Sequence, residues 1–419
     1  MSARSLPILM PSGAQRYSCH GCGNCCRDFT VQLREEDLDR LRAQRWEERL
    51  GEPVTVWFRG RAHLRQRDDG ACIFWMEDGR CRIHAEFGLA EKPIACQLFP
   101  FSFGPDGREL RVGLSFACQS VQENRGASLE SHRAEVRRML VRVPEAAHGA
   151  PPPLAGRLRS TPAEVAALSA ALDGILRRSE LPLALRLEGF AWMAQMLASA
   201  RLGSVRERRF GELVETLAAA IPDELALAEP PSPGARAWRL LRQAAFARIE
   251  DLRIAEALRR GRLRSILGQL GRSRRFARGR GAMPHRLEGW PTIDLGAVGA
   301  VGPAIDPSHA GAIDDLLTRW LRMTLLGGRA WGSGYYGWAI ADGLLATTCN
   351  LLCTLWLARA HASGHGRAAL TVDDCRAALG RVDRHAGRAP WLGGTAERAR
   401  IRYLQVTEAW RGLVRSLAP

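Results

Sequence analysis

Eight cysteines fall within the first 118 residues, four of them in the run Cys19-His20-Gly21-Cys22-Gly23-Asn24-Cys25-Cys26, followed by Cys72, Cys81, Cys96 and Cys118. A segment this rich in thiols folds around them, either as disulfides or as metal ligands, and in a reducing compartment the second use prevails. Metal ligands must converge on one point, and pairs separated by two residues are the usual opening. Cys19/Cys22 and Cys22/Cys25 both have that spacing, and Gly21 and Gly23 allow the tight turns that leave amides free to point at sulfur. Cys25 and Cys26 are adjacent, so their side chains are expected to diverge and one mononuclear site is not expected to use both. Two neighbouring four-cysteine sites or one polynuclear cluster stay open. The Cys-x2-Cys-x2-Cys run has ferredoxin-like spacing and leans toward iron–sulfur, whereas zinc ribbons favour two separated pairs; zinc stays open. His20 and His84 are candidates to replace a thiolate. The metal either staples a small domain or has a chemical role.

At 419 residues, 46% of them hydrophobic, the chain is long enough for two or three globular domains. Its net charge of +16 is uneven. Residues 1–125 carry 18 basic and 17 acidic groups, and the remainder carries 42 and 27. Residues 236–286 hold 15 arginines against Glu250, Asp251 and Glu256. Lys92 is the only lysine. The apolar patch at residues 6–10 is broken by Pro7 and Pro11 and is too short for a signal core. Residues 343–358 are uncharged but contain polar Thr347, Thr348, Asn350 and Thr354, which predicts a buried helix, shorter than a membrane span needs. The expectation is a cytoplasmic protein with free thiols and no membrane span.

Along the front, residues 54–58 and 110–116 read as strands and 35–50 as a helix. Glu77-Asp78-Gly79-Arg80 is a hairpin signal that would set Cys72 opposite Cys81, and residues 104–107 form a second turn signal. The prolines at 151–153 mark a linker. Thr161-Pro162-Ala163-Glu164 combines an N-cap, a first-turn proline and a capping-box glutamate. Helices are predicted over 187–202, 210–221, 235–260, 307–326, 336–360, 372–385 and 396–417, with a long loop in 261–303. The fold class is α+β: a cysteine-cluster metal-binding domain at 1–125, a linker at 126–160 and a helical domain at 161–419.

The run from Cys19 to Cys26, with Cys81-Arg82-Ile83-His84 and Lys92-Pro93-Ile94-Ala95-Cys96-Gln97-Leu98-Phe99-Pro100, resembles the YkgJ-type cysteine-cluster family, known for a zinc- or iron-chelating domain. Lys92 stands where that family commonly has arginine, which keeps the charge and loses the bidentate fork. His84 stands where a tyrosine is common. Leu114-Ser115-Phe116-Ala117-Cys118-Gln119-Ser120-Val121 is similar to the stretch closing this domain in flagellin lysine N-methylase relatives, which also carry a helical C-terminal region. The resemblance covers residues 17–122. It implies a metal or iron–sulfur centre and a protein lysine N-methyltransferase that uses S-adenosylmethionine on a protein substrate. The residues themselves contain no Gly-rich loop between a buried strand and a helix, as a Rossmann-type cofactor site requires. The non-enzymatic alternative is a metal-binding or redox-sensing protein whose cysteine cluster holds structural zinc.

The arginine-rich segment carries Trp238, Leu241, Ala245, Ile249 and Leu252 at core spacing, so it reads as an amphipathic helix with a solvated face, not a specific nucleic-acid site. Cys349 and Cys353 share one face of an apolar helix and read as core, as does Cys375. Trp331-Gly332-Ser333-Gly334-Tyr335-Tyr336-Gly337-Trp338 reads as an aromatic core corner; a ligand pocket, with Arg319, Arg322 and Arg329 to hold a carboxylate, is the other reading.

Overall fold

Thr161 opens the helical half as its sequence requires. Its hydroxyl accepts from the Glu164 amide at 3.2 Å, while the Glu164 carboxylate accepts from the Thr161 amide at 2.8 Å. The computed structural model describes residues 7–418 except 12, 14, 28, 106–108, 143–149, 228, 251–253, 255–257, 259–260, 285–286, 288 and 303. Two of the turn residues expected at 104–107, and part of the basic segment 236–286, thus lie outside the described residues.

The fold is α+β, with short strands in the N-terminal part and helices carrying the rest. Strands β1 (Ile8–Leu9), β5 (Phe101–Pro105) and β6 (Leu110–Leu114) form a sheet in the order β1-β6-β5. In it β5 and β6 are antiparallel, with Phe101 opposite Leu114, and β1 runs parallel to β6. The small antiparallel pairs are β2 (Arg16–Tyr17) with β7 (Ala127–Ser128), β3 (Thr55–Phe58) with β4 (Arg61–Leu64), and β8 (Pro153–Ala155) with β9 (Leu158–Arg159). The helix expected over 35–50 is two helices, α1 (Glu35–Ala43) and α2 (Trp46–Leu50), because Arg45 takes a left-handed φ of 56°. The front continues with α3 (Arg82–Phe87), α4 (Ile94–Leu98), α5 (Gln119–Gln122) and α6 (Arg133–Arg142).

The described helices of the second half are α7 (Pro162–Arg177), α8 (Leu183–Ser199), α9 (Arg208–Leu227), α10 (Ala235–Ala247), α11 (Arg262–Arg278), α12 (Ala310–Leu326), α13 (Ile340–Gly364), α14 (Val372–His385), α15 (Thr395–Val406) and α16 (Ala409–Leu417). Two sequence expectations are corrected here. α10 stops at Ala247, and Arg248 turns into the interior to meet Glu397 at 2.7 Å, both side chains fully buried. The loop expected from 261 onward contains α11, whose Phe276 and Ala277 are buried while Leu263, Ile266, Leu267 and Leu270 lie exposed along one face.

α13 is the hub of the second half and touches α8, α10, α14 and α16. It is longer than its uncharged stretch indicated, at 25 residues long and apolar enough to cross a membrane by length and composition. Yet 94% of its most apolar window is covered by the rest of the protein, so it is the buried helix expected. Cys349, Cys353 and Cys375 are buried core residues. Trp331, Tyr335 and Trp338 are buried too, as an aromatic core corner requires.

Two hydrophobic clusters form. A small one collects Leu33, Leu41, Trp46, Cys72, Ile73, Phe74 and Ile83, and carries Cys26 and Cys81 on its edge. The large one runs from Met10 through the β5–β6 sheet into all the main helices. The front sheet meets the helices backbone to backbone. A Cβ on Gly104 would stand 2.4 Å from the Gly328 carbonyl oxygen, and one on Gly327 would stand 2.5 Å from the Gly113 Cα. Gly104→Ala is therefore expected to cost about 1–3 kcal/mol in denaturant unfolding by overpacking, whereas Gly174→Ala, in an open helical position, is expected to be neutral or stabilising.

Asp374 pins α13 to α14. Burial alone would raise its pKa, but hydrogen bonds from His361 (2.6 Å), from the Thr371 amide (2.9 Å) and hydroxyl (2.7 Å), and from Arg367 hold it at about 2. A carboxylate held below its ordinary 3.8 gives stability that is complete above that value and lost as pH falls toward 2. In acid titrations followed by circular dichroism, the stability gap between the native chain and Asp374→Asn is expected to be flat above about pH 5 and to close below about pH 4.

Candidate metal centre

The four clustered cysteines sit on a loop shaped by glycine. Gly21 and Gly23 have φ of 70° and 73°, and Cys25 and Cys26 follow in a single 3-10 turn closed by the Cys26 amide on the Gly23 carbonyl at 2.8 Å. The loop lies against the turn at Met76–Arg80. A Cβ on Gly23 would meet the Trp75 indole nitrogen at 2.5 Å, and one on Gly79 would meet the Gly21 carbonyl at 2.8 Å. That turn closes through Met76 and Arg80, and it sets Trp75, not Cys72, opposite Cys81. The expected Cys72/Cys81 facing is corrected accordingly. Cys72 pairs instead with Gln66, and its amide donates to the Cys26 carbonyl at 2.7 Å.

The remaining thiols ride on helix starts and one short helix. Cys81 is the N-cap of α3, Cys118 is the N-cap of α5, and Cys96 lies inside α4. Cys22 receives the Asn24 amide. Amides aimed at sulfur stabilise a thiolate and are common around bound metal.

The eight thiols sort into two groups that share Cys25. Cys19 and Cys22 are exposed and lie with Cys25 and Cys118. Cys26, Cys81 and Cys96, which are partly buried, and Cys72, which is buried, lie within one another's electrostatic reach. Cys25 feels both groups. Its thiol and that of Cys26 are hydrogen-bonded to each other, so the expected divergence of these neighbours is corrected. The hydrogen bond from Cys26, helped by the positive charges of Lys92 and Arg384, lowers Cys25 to about 6 and raises Cys26. Burial pushes Cys72 and Cys118 up to about 12 and raises Cys96 further. Among the described residues no three His, Cys, Asp or Glu side chains close on a common point at ligand distance. All eight cysteines are free of disulfides. His20 and His84 are exposed, His84 on the Lys92 side.

Lys92 is buried among these sulfurs. Burial pulls its pKa down, but Cys96, Cys81, Cys25 and Cys26 outweigh that and hold it above its ordinary value. A buried cation facing thiols fits a site that becomes anionic when the thiols ionise on a metal. Lys92→Met is expected to weaken metal retention by about 10–100-fold in chelator competition, and Lys92→Arg to retain it. Two further contributors escaped the sequence reading. Tyr17 lies within reach of Cys19, Cys118 and Cys25 and stacks edge-on to Phe101 at 5.7 Å. Arg384, from α14, lies over Phe29 at 4.5 Å. The place of Tyr17 two residues before Cys19 was the available signal for the first, and Arg384 had none.

Residues 18–126 match a family model described as a "Putative zinc- or iron-chelating domain" of the CxxCxxCC type. This front segment is a cysteine-cluster domain. The match spans every one of the eight thiols and Lys92. The chain is also similar to an uncharacterized protein of Methanocaldococcus jannaschii, at 31% identity over 86 residues, which is 20% of this chain and 29% of that protein. The chain therefore spans less than a third of the curated relative that it matches. No solved structure matches.

Proposed function

We propose that this protein is a zinc- or iron-binding protein whose eight front cysteines hold the metal, with the helical half as the platform that presents Arg384 and seals one side of the centre. The observation that carries the reading is the gathering of Cys25, Cys26, Cys72, Cys81 and Cys96, from four separate stretches of chain, within electrostatic reach of the only lysine, inside the segment that matches the chelating domain. The donor set fits thiophilic ions, zinc or iron–sulfur, since it is all sulfur. Cys26, Cys72, Cys81 and Cys96 would hold the inner metal; Cys19, Cys22 and Cys118 would complete the outer part, with Cys25 shared between them. When bound, the metal supplies a cross-link between distant loops and, if it is an iron–sulfur cluster, a one-electron couple. The chain's own residues bury the inner sulfurs, offset their charge through Lys92 and leave Cys19 and Cys22 at the surface.

Elemental analysis and electron paramagnetic resonance on protein purified without oxygen test this. At least one zinc, or a set of irons with an iron–sulfur spectrum, per chain is expected; a metal-free protein of unchanged stability would contradict it. Protein lysine N-methylation with S-adenosylmethionine rests on the resemblance alone. Among the named strands the one parallel pairing is the two-residue β1 with β6, which lends no support to a Rossmann-type cofactor site.

A further inference from the structure

The first two turns of α11 direct their apolar side chains to solvent. Leu263, Ile266, Leu267 and Leu270 recur at helical spacing and are all exposed, Leu263 by 76% and Leu267 by 68%. Among the described residues, five of the eleven large apolar side chains that lie exposed fall between Leu258 and Leu270. Single exposed apolar residues are ordinary, but a contiguous stripe marks an interaction surface. The helix that carries it is firmly seated. Phe276 is buried and meets Phe246 of α10 at 5.6 Å and Trp356 of α13 at 5.2 Å between ring centroids. Arg272 pairs with Glu250, and Arg242 donates to the Ala277 carbonyl at 2.9 Å. The C-terminal half of α11 is thus anchored on α10 and α13, while the N-terminal half presents its leucines outward.

The charge around the stripe has one sign. Residues 257–287 hold ten arginines and no aspartate or glutamate. Arg264, Arg274, Arg275, Arg278 and Arg280 are exposed. Arg274 follows Leu270 by four residues and continues its line, while Arg264, Arg275 and Arg278 flank it on one side. This combination selects the occupant. A second copy would set the same positive charge against itself. A nucleic acid would match the charge but has little use for four aliphatic side chains, since bases are held by stacking on aromatic rings. The aromatic ring of α11, Phe276, is buried. An anionic bilayer surface uses both features at once, acyl chains for the leucines and headgroup phosphates for the arginines.

We infer that α11 is a peripheral docking helix for an anionic lipid surface, with Leu263, Ile266, Leu267 and Leu270 entering the boundary between headgroups and acyl chains and the exposed arginines meeting lipid phosphates. The helix lies in the plane of the surface and does not span it. The inference stands apart from the metal centre, because none of these residues touches the cysteine loop.

Co-sedimentation of the full chain with vesicles tests it. Binding is expected at low salt to vesicles of equal parts phosphatidylcholine and phosphatidylglycerol, weakening as salt rises, with little binding to phosphatidylcholine alone. Leu263→Ser combined with Leu267→Ser is expected to weaken binding by about tenfold or more. Arg274→Gln combined with Arg275→Gln is expected to weaken it by about tenfold. Val406→Ser, at a lone exposed apolar side chain on α15, is expected to leave it unchanged. All the replaced side chains are exposed, and circular dichroism establishes that each variant is folded. The inference is overturned if folded native protein does not bind the anionic vesicles. It is overturned equally if the leucine variant binds as the native chain does, which would reduce the attraction to charge alone, as for a nucleic acid. A dimer in solution that the leucine variant dissolves would assign the face to a second copy and overturn it too.

Discussion

Cys72→Ser is expected to strip the protein of most of its metal and to weaken re-binding by more than about 100-fold. Loss of an outer-sphere partner of a metal ligand already costs about 10–100-fold, and Cys72 is proposed as a ligand itself. It is buried, its amide is tied to the Cys26 carbonyl at 2.7 Å, and its sulfur lies within electrostatic reach of Cys81 and Cys25. Structural metals contribute folding free energy directly. The variant's front domain should therefore become protease-sensitive while the far-ultraviolet signal of the helical half persists. Cys353→Ser is the matched control. Cys353 is equally buried but lies in α13 beside Cys349, far along the chain from the matched domain. Its replacement should cost some stability and leave metal content unchanged. Metal analysis of the two variants side by side checks the contrast, and equal loss from both would defeat the assignment.

Asp383→Asn is expected to destabilise the whole chain by about 3–5 kcal/mol, the cost of breaking a buried ion pair from one side. The Asp383 carboxylate is 2% exposed and accepts from Ser115 (2.7 Å), Trp320 (3.1 Å) and Arg329 (3.1 Å). Ser115 follows β6, Trp320 lies in α12 and Asp383 in α14, so one carboxylate ties the front sheet to two helices. Burial would raise its pKa, but Arg329 and Arg388 outweigh this and keep it ionised. Neutralising Asp383 would leave the buried Arg329 guanidinium without its counter-charge. Urea unfolding should show a lower midpoint with little change in slope. A shift below about 1 kcal/mol would show that water replaces the carboxylate at no great cost.

Local chemistry was legible in the sequence, and long-range placement was not. Cys19, Cys22 and Cys25 declare themselves because ligand spacing is a property of a short loop. Thr161 and Glu164 do so because a capping box closes within one turn. The boundaries of α14 follow from Thr371 at its start and from apolar positions at helical spacing. By contrast, nothing near Cys25 points to Arg384, which arrives only once α14 docks on α5. The approach of the Cys25 and Cys26 thiols to each other comes with a 3-10 turn that alternation of side chains does not foretell. α11 was hidden by its glycines and arginines, although Leu263, Ile266, Leu267 and Leu270 carry helical spacing. The division of 35–50 at Arg45 reflects one left-handed residue that composition does not mark.

The central claim is that sulfur from distant parts of the front domain surrounds a metal. X-ray absorption at the metal edge, on protein isolated without oxygen, reads that shell directly. Scattering dominated by sulfur at about 2.3 Å, as for thiolate-bound zinc, or an iron–sulfur pattern, is expected. A shell of only nitrogen and oxygen, or no bound metal at all, would contradict it.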